Sequence, residues 1–91
     1  MSKFVNIGFG NIVNADKIVA IVSPDAAPVK RMVQSAKESG KIIDATQGRR
    51  TKAVMVTEDG YIVLSALQPD TIGRRLQSDK NSMEEKGDLD E

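Results

Sequence analysis

The chain contains no histidine and no cysteine in its 91 residues, and its aromatic side chains are limited to Phe4, Phe9 and Tyr61. Without cysteine there is no disulfide framework and no thiolate metal site, so a fold this small depends on packing or on self-association. Without histidine, no serine or threonine has its usual activating base. The carboxylates Asp16, Asp25, Asp44, Glu58, Asp59 and Asp70 are dispersed over expected turns and caps and are not paired for acid–base work. Metal-ligand spacing is missing as well. The expectation is therefore a protein that is not an enzyme, with no cofactor, no metal and no small-molecule substrate. Three rings are too few for the stacking platforms of single-strand binders, which assigns Phe4 and Phe9 to the core or to an interface. No apolar run approaches membrane-spanning length, and the N-terminus lacks a long apolar signal segment; a cytoplasmic protein with no membrane partner is expected.

Charge of one sign is not in excess overall, with 13 Lys/Arg against 13 Asp/Glu, but it is unevenly distributed. Residues 1–75 hold 11 basic and 7 acidic side chains, a net of +4, whereas residues 76–91 hold 2 and 6, a net of −4. A basic body suits a phosphate-binding surface whose attraction an acidic tail tunes, although such tails more often only solvate.

Pattern along the chain predicts an α+β domain over residues 1–77, followed by an acidic, disordered tail over 78–91. Residues 3–8 read as a strand with Val5, Ile7 and Phe9 on one face, and Ile12-Val13 begin a second. Residues 17–22 are continuously apolar after Lys17 and mostly β-branched, which predicts a strand covered on both faces. Ser23-Pro24-Asp25 has helix-start chemistry, and Val29, Met32, Val33 and Ala36 form a stripe at helical spacing over about 28–39, stopped by Gly40. Ile42-Ile43 suggest a short strand. Residues 53–57 and 61–66 are strands joined through Asp59-Gly60, a tight-hairpin signal. A short helix over about 69–77 carries Ile72 and Leu76. The expected sheet is largely antiparallel. One helix covers only part of one face, so Val19 or Ile21, and Val63 or Leu67, are expected to be surplus. Self-association would bury them unless the short C-terminal helix closes the second face.

The run Gly48-Arg49-Arg50-Thr51-Lys52 concentrates three cations at a turn. Gly48 permits a tight turn, Thr51 adds a hydroxyl donor, and on extended backbone Arg50 and Lys52 point one way while Arg49 and Thr51 point the other. Arg49 is then free to reach a groove or brace the loop. Against this stands the ordinary fate of a charge cluster, a solvated turn. Asp44 is close enough in sequence to be the cluster's salt-bridge partner. Lys17, Lys30, Arg31 and Lys37 are secondary candidates; cations at 30 and 31 oppose the helix dipole, a small cost that hints at an anionic ligand. Arg74 and Arg75 suit a helix C-terminus and carry less weight. Gly8-Phe9-Gly10-Asn11 lacks the third glycine of a dinucleotide fingerprint and reads as a turn. With few rings, duplex DNA read through phosphates and groove shape fits better than single-stranded RNA.

Several blocks together resemble the RemA family, small bacterial regulators of extracellular-matrix (biofilm) genes. They are Asn6-Ile7-Gly8-Phe9-Gly10-Asn11; Ile21-Val22-Ser23-Pro24 with Ala27-Pro28-Val29-Lys30-Arg31; Asp44-Ala45-Thr46 with Gly48-Arg49-Arg50-Thr51; and Leu64-Ser65-Ala66 before Gln68-Pro69. The similarity runs in order over roughly residues 3–77. It implies a transcription activator that binds repetitive promoter DNA as a ring-like homo-oligomer, through a fold similar to LytTR-type domains. The family's arginine pair maps onto Arg49 and Arg50. At position 17 some relatives have Arg where this chain has Lys, which keeps the charge but gives up a bidentate contact. The expected double-stranded DNA site is thus Arg49, Arg50, Thr51 and Lys52, with help from Lys17, Lys30 and Arg31. The alternatives are an oligomeric protein-interaction scaffold and a binder of a small phosphorylated ligand at residues 48–52.

Overall fold

Alternation of apolar side chains decides which segments of this chain pair and which face they bury. In the computed structural model, which describes residues 3–77, the order is β1 (Phe4–Asn6), β2 (Ile12–Asn14), β3 (Ile18–Val22), α1 (Ala27–Ser39), β4 (Ile42–Ala45), β5 (Ala53–Thr57), β6 (Ile62–Ser65) and α2 (Pro69–Gln77). A 3₁₀ turn at Ala15–Lys17 leads into β3. The tail expected over 78–91 lies outside the described residues. Both helices fall where the apolar spacing put them, to within one residue at the start of α1.

The architecture is α+β, with a sheet that is mixed. Strands β5 and β6 form the expected antiparallel hairpin, Ala53 opposite Ser65 and Val56 opposite Ile62. Strand β3 pairs antiparallel with β5, but β4 pairs parallel with β6, giving the order β3-β5-β6-β4. The parallel pair follows from α1: a helical crossover returns the chain to the end of the sheet where β3 began, so the next strand runs the same way. At ~1.5 Å per residue the helix is about 20 Å long, enough to span the ~14 Å between the two outer strands. β1 and β2 form a separate antiparallel ribbon.

Each face of the sheet is covered within the chain. Val54, Ile62 and Leu64 pack under Val29, Met32, Val33 and Ala36 of α1. On the other side Met55, Val63 and Ala45 meet Val5 and Ile7 of the ribbon together with Ile72 and Leu76 of α2. α2 and the ribbon therefore cover most of the surplus apolar side chains: Val63 is buried and Ile21 and Leu67 pack against this second core. Val19 alone of those four stays outside, 63% exposed, where the register of β3 shifts between Ile18 and Ala20. β3 is thus an irregular edge strand whose two faces are both partly covered, Ile18 and Ile21 packing on the ribbon side and Val22 on the α1 side, with Val19 the exception. Phe9 also departs from expectation. It has left the Val5/Ile7 face for the β1–β2 turn, because glycines on both sides let the chain reverse before position 9.

One polar group inside this core joins the ribbon to the sheet. The Ser65 hydroxyl, fully buried, donates to the Ile7 carbonyl at 2.9 Å and accepts from the Leu67 N–H at 3.0 Å. Two further bonds tie α2 to the segment around β1: Arg75 Nη1 donates to the Asn6 carbonyl at 2.8 Å, and Lys3 Nζ donates to the Leu76 carbonyl. Removing the Ser65 hydroxyl strands two backbone groups in an apolar setting, a cost of about 1–3 kcal/mol. Ser65→Ala is therefore expected to lower the melting temperature by several degrees in scanning calorimetry, at ~4–8 °C per kcal/mol for a domain of this size.

Candidate functional site

The basic run is presented by a turn that its own neighbours build. The Asp44 carboxylate accepts from the Thr46 N–H at 2.9 Å and from the Thr46 hydroxyl at 2.6 Å. The chain then reverses over residues 46–49, closed by the Arg49 N–H donating to the Thr46 carbonyl at 2.9 Å, with Gln47 and Gly48 both left-handed at φ 54° and 78°. Two positive φ values at the centre of a turn define the I′ pattern, which is why glycine stands at 48. The Lys52 N–H then donates to the Ser65 carbonyl at 2.8 Å, fixing the far end of the run against β6. Asp44 is thus a turn brace and not the cluster's salt-bridge partner. The Thr46 hydroxyl, then the Thr46 N–H, hold its carboxyl below the ordinary value of 3.8.

Beyond the turn, three segments meet around an open polar cleft of about 450 Å³. Residues 50–52 form one wall, residues 23–25 ahead of α1 a second, and residues 68–70 at the start of α2 the third. Arg50, Thr51 and Lys52 all line it, so Thr51 joins the other two where strict alternation would have separated them. Ser23 accepts from the Asp25 N–H at 3.3 Å and shapes its own loop; α1 starts at an Ala26 cap with no side-chain hydrogen bond. A smaller cleft of about 260 Å³ shares Thr51 and is flanked by Lys30 and Lys37 of α1. Among the described residues, Arg50, Lys52 and Lys30 are in no ion pair, which leaves their charge available to a ligand.

The remaining candidates sit elsewhere. The Arg49 guanidinium carbon lies 5.8 Å from the centroid of the Phe9 ring, away from the cleft. Arg31 is exposed and lines neither cleft. Lys17 precedes the residue paired with Thr57, at the opposite end of β5 from Lys52, on the order of 15 Å away at ~3.3 Å per strand residue. Its ammonium is 3.2 Å from Glu58, whose hydrogen bond and charge raise its pKa. The residue-by-residue reading missed Phe9 as a neighbour of the arginines and missed the acidic members of the cleft, Asp25 and Asp70. A bulky ring between two glycines was the available signal for the first.

This arrangement defines a small α+β protein that gathers cations from a turn and a helix around an open cleft. The chain belongs to the RemA-like family (Extracellular matrix regulatory protein A-like), whose family model matches residues 4–76. It is 61% identical over 82 residues to a protein of Alkaliphilus oremlandii named "Putative regulatory protein", covering 90% of this chain and 88% of that one. A similarly named Thermoanaerobacter protein is 54% identical over 89 residues, covering 98% and 93%, and one from Lachnoclostridium phytofermentans is 63% identical over 76 residues, covering 84% of each.

The Asp44 brace yields a pH signature. A carboxyl whose pKa is depressed by folding contributes stability above its unfolded pKa and loses that contribution as pH falls through the folded value. The melting temperature of Asp44→Ala is expected below that of the unsubstituted protein at pH 7. The gap should close as pH drops below about 4, in parallel melts across the acid range.

Proposed function

We propose that this protein is an oligomeric regulator that binds double-stranded DNA and activates extracellular-matrix (biofilm) genes in the bacterial cytoplasm. The convergence of Arg50, Thr51 and Lys52 on one cleft, with Lys30 across Thr51 and no ion pair consuming these cations among the described residues, is the observation that carries this reading. A hydroxyl flanked by cations suits phosphate oxygens, and an open polar cleft suits a backbone passing across it. Membership of a family described as regulators of extracellular matrix supports the same conclusion, as does the naming of the relatives as regulatory proteins and not enzymes. The likeness to LytTR-type domains belongs to this reading too. No helix among the described residues is long and apolar enough to cross a membrane.

One subunit offers few contacts, so affinity in this reading comes from repetition around a closed ring. Exposed apolar side chains support self-association: Phe4 and Ile12 stand on the outer face of the ribbon at 65% and 62% exposure, and Val19 on the open edge of β3. With about three to five phosphates met per subunit, log affinity should fall by roughly 0.9 per contact per log unit of salt. Specificity then comes mainly from DNA deformability and phased contacts. A second reading, a small phosphorylated ligand in the same cleft, is favoured by the volume of about 450 Å³. A scaffold whose arginines bridge subunits is the third.

Mobility shifts on duplexes of increasing length, at two salt concentrations and with protein mass set by light scattering, separate these. Cooperative, length-dependent, salt-sensitive shifts are expected, and Arg50→Ala should abolish them with the oligomer intact. Loss of assembly in Arg50→Ala would place that residue at a subunit contact. Saturable thermal stabilisation by a nucleotide, with no dependence on DNA length, would instead identify the small ligand.

A further inference from the structure

We infer that Phe9 is a positioning residue of the nucleic-acid surface: its ring, displayed on a left-handed turn, holds the Arg49 guanidinium in place for the ligand. This rests on the DNA reading above and adds to it a residue outside the basic run. Phe9 is half exposed, 49%, and belongs to neither apolar core, so packing does not explain a phenyl ring at this position. Its backbone is left-handed, φ 55°, which is strained for a bulky side chain. An outlier of this kind persists only where the surroundings enforce it, and it points to a use for what it displays.

The surroundings do enforce it. Gly8 and Gly10 are also left-handed, at φ 105° and 79°, and the Asn11 N–H closes the turn on the Gly8 carbonyl at 3.0 Å. Asn6 accepts from the Gly8 N–H at 2.7 Å, and the Asn11 amide donates to the Gly8 carbonyl at 2.9 Å and reaches the Ala45 carbonyl at 3.5 Å. A side chain at Gly8 would meet Leu67 at 3.3 Å, so the turn is seated hard against the segment joining β6 to α2.

The result is a pair of matching turns, residues 8–11 and 46–49, each closed by one backbone bond and each with two left-handed central residues. Phe9 from one and Arg49 from the other meet across them at 5.8 Å, within the range in which a ring face attracts a cation. A long side chain already held by a ring gives up less freedom when it meets a phosphate or a base edge, which improves affinity without a new contact. The two arginines therefore do different work. Arg50 faces the cleft with Lys52, whereas Arg49 is drawn to the ribbon and extends the basic surface over a second turn.

A double-mutant cycle of Phe9→Ala, Arg49→Ala and the double substitution, read by fluorescence anisotropy on a labelled duplex, tests the inference. Phe9→Ala should weaken binding at least about 2- to 5-fold, the scale of an exposed cation–ring contact, and should add nothing once Arg49 is already alanine. Phe9→Tyr keeps the ring face and should keep wild-type affinity. No loss in Phe9→Ala, or additive losses in the cycle, would overturn the positioning role; so would a smaller assembly of Phe9→Ala by light scattering. Failure of the unsubstituted protein to bind any duplex would overturn the DNA reading and this one together. That result is distinguishable because it precedes any substitution.

Discussion

A buried hydroxyl that must both give and receive a hydrogen bond has few acceptable positions, and Ser65 occupies one that decides the geometry around it. Its side chain draws the Ile7 carbonyl onto the end of β6 and holds the Leu67 N–H, while its own carbonyl receives the Lys52 N–H. The first bond sets where the ribbon leaves the core and hence where the turn at residues 8–11 stands. The last sets where the basic run rejoins the sheet. Both turns of the candidate surface are thus referred to one residue at the C-terminal end of β6. A polar group in such a place is tolerated because its hydrogen is donated and its oxygen also accepts; left unpaired, it would be a liability.

Energetics and recognition are carried by different parts of this small molecule. Apolar packing on both faces of the sheet does the stabilising, with α1 on one side and the ribbon plus α2 on the other. Surface charge contributes little to that: Lys17 and Glu58 pair in the open, where solvent screens their attraction. Cations on the turn and on α1 are consequently at liberty to serve a ligand. Asp25 and Asp70 line the same cleft as Arg50, and in the proposed DNA reading their negative charge would oppose indiscriminate attraction of polyanions.

Much of this was readable from local pattern. The stripe at Val29, Met32, Val33 and Ala36, the Asp59-Gly60 hairpin and the short helix carrying Ile72 each follow from periodicity or turn chemistry, and each stands where those rules put it. What escaped depends on contacts distant in sequence. The parallel pairing of β4 with β6 is a property of the crossover and is not written in residues 42–45. The departure of Phe9 from the Val5/Ile7 face was hidden because alternation was continued through a glycine. Asp44 looked like a partner for arginine by proximity in sequence, yet a hydroxyl two residues on reached it first. In the site, the residue types at 49–52 pointed to phosphate and alternation already set Arg49 apart from Arg50, but the ring that Arg49 meets comes from forty residues earlier.

The bond between Ser65 and Ile7 joins positions 58 residues apart, and that between Arg75 and Asn6 joins positions 69 apart. A chain made from its N-terminus has the β1–β2 hairpin available early, because its contacts are local, but has nothing to anchor it until β6 and α2 emerge from the ribosome. The two turns are accordingly brought face to face only after β6 and α2 have been made. A nascent chain carries Arg49 and Arg50 before it carries the contacts that position them, so an incomplete product has these cations without their geometry and without the acidic residues of 76–91 that balance them.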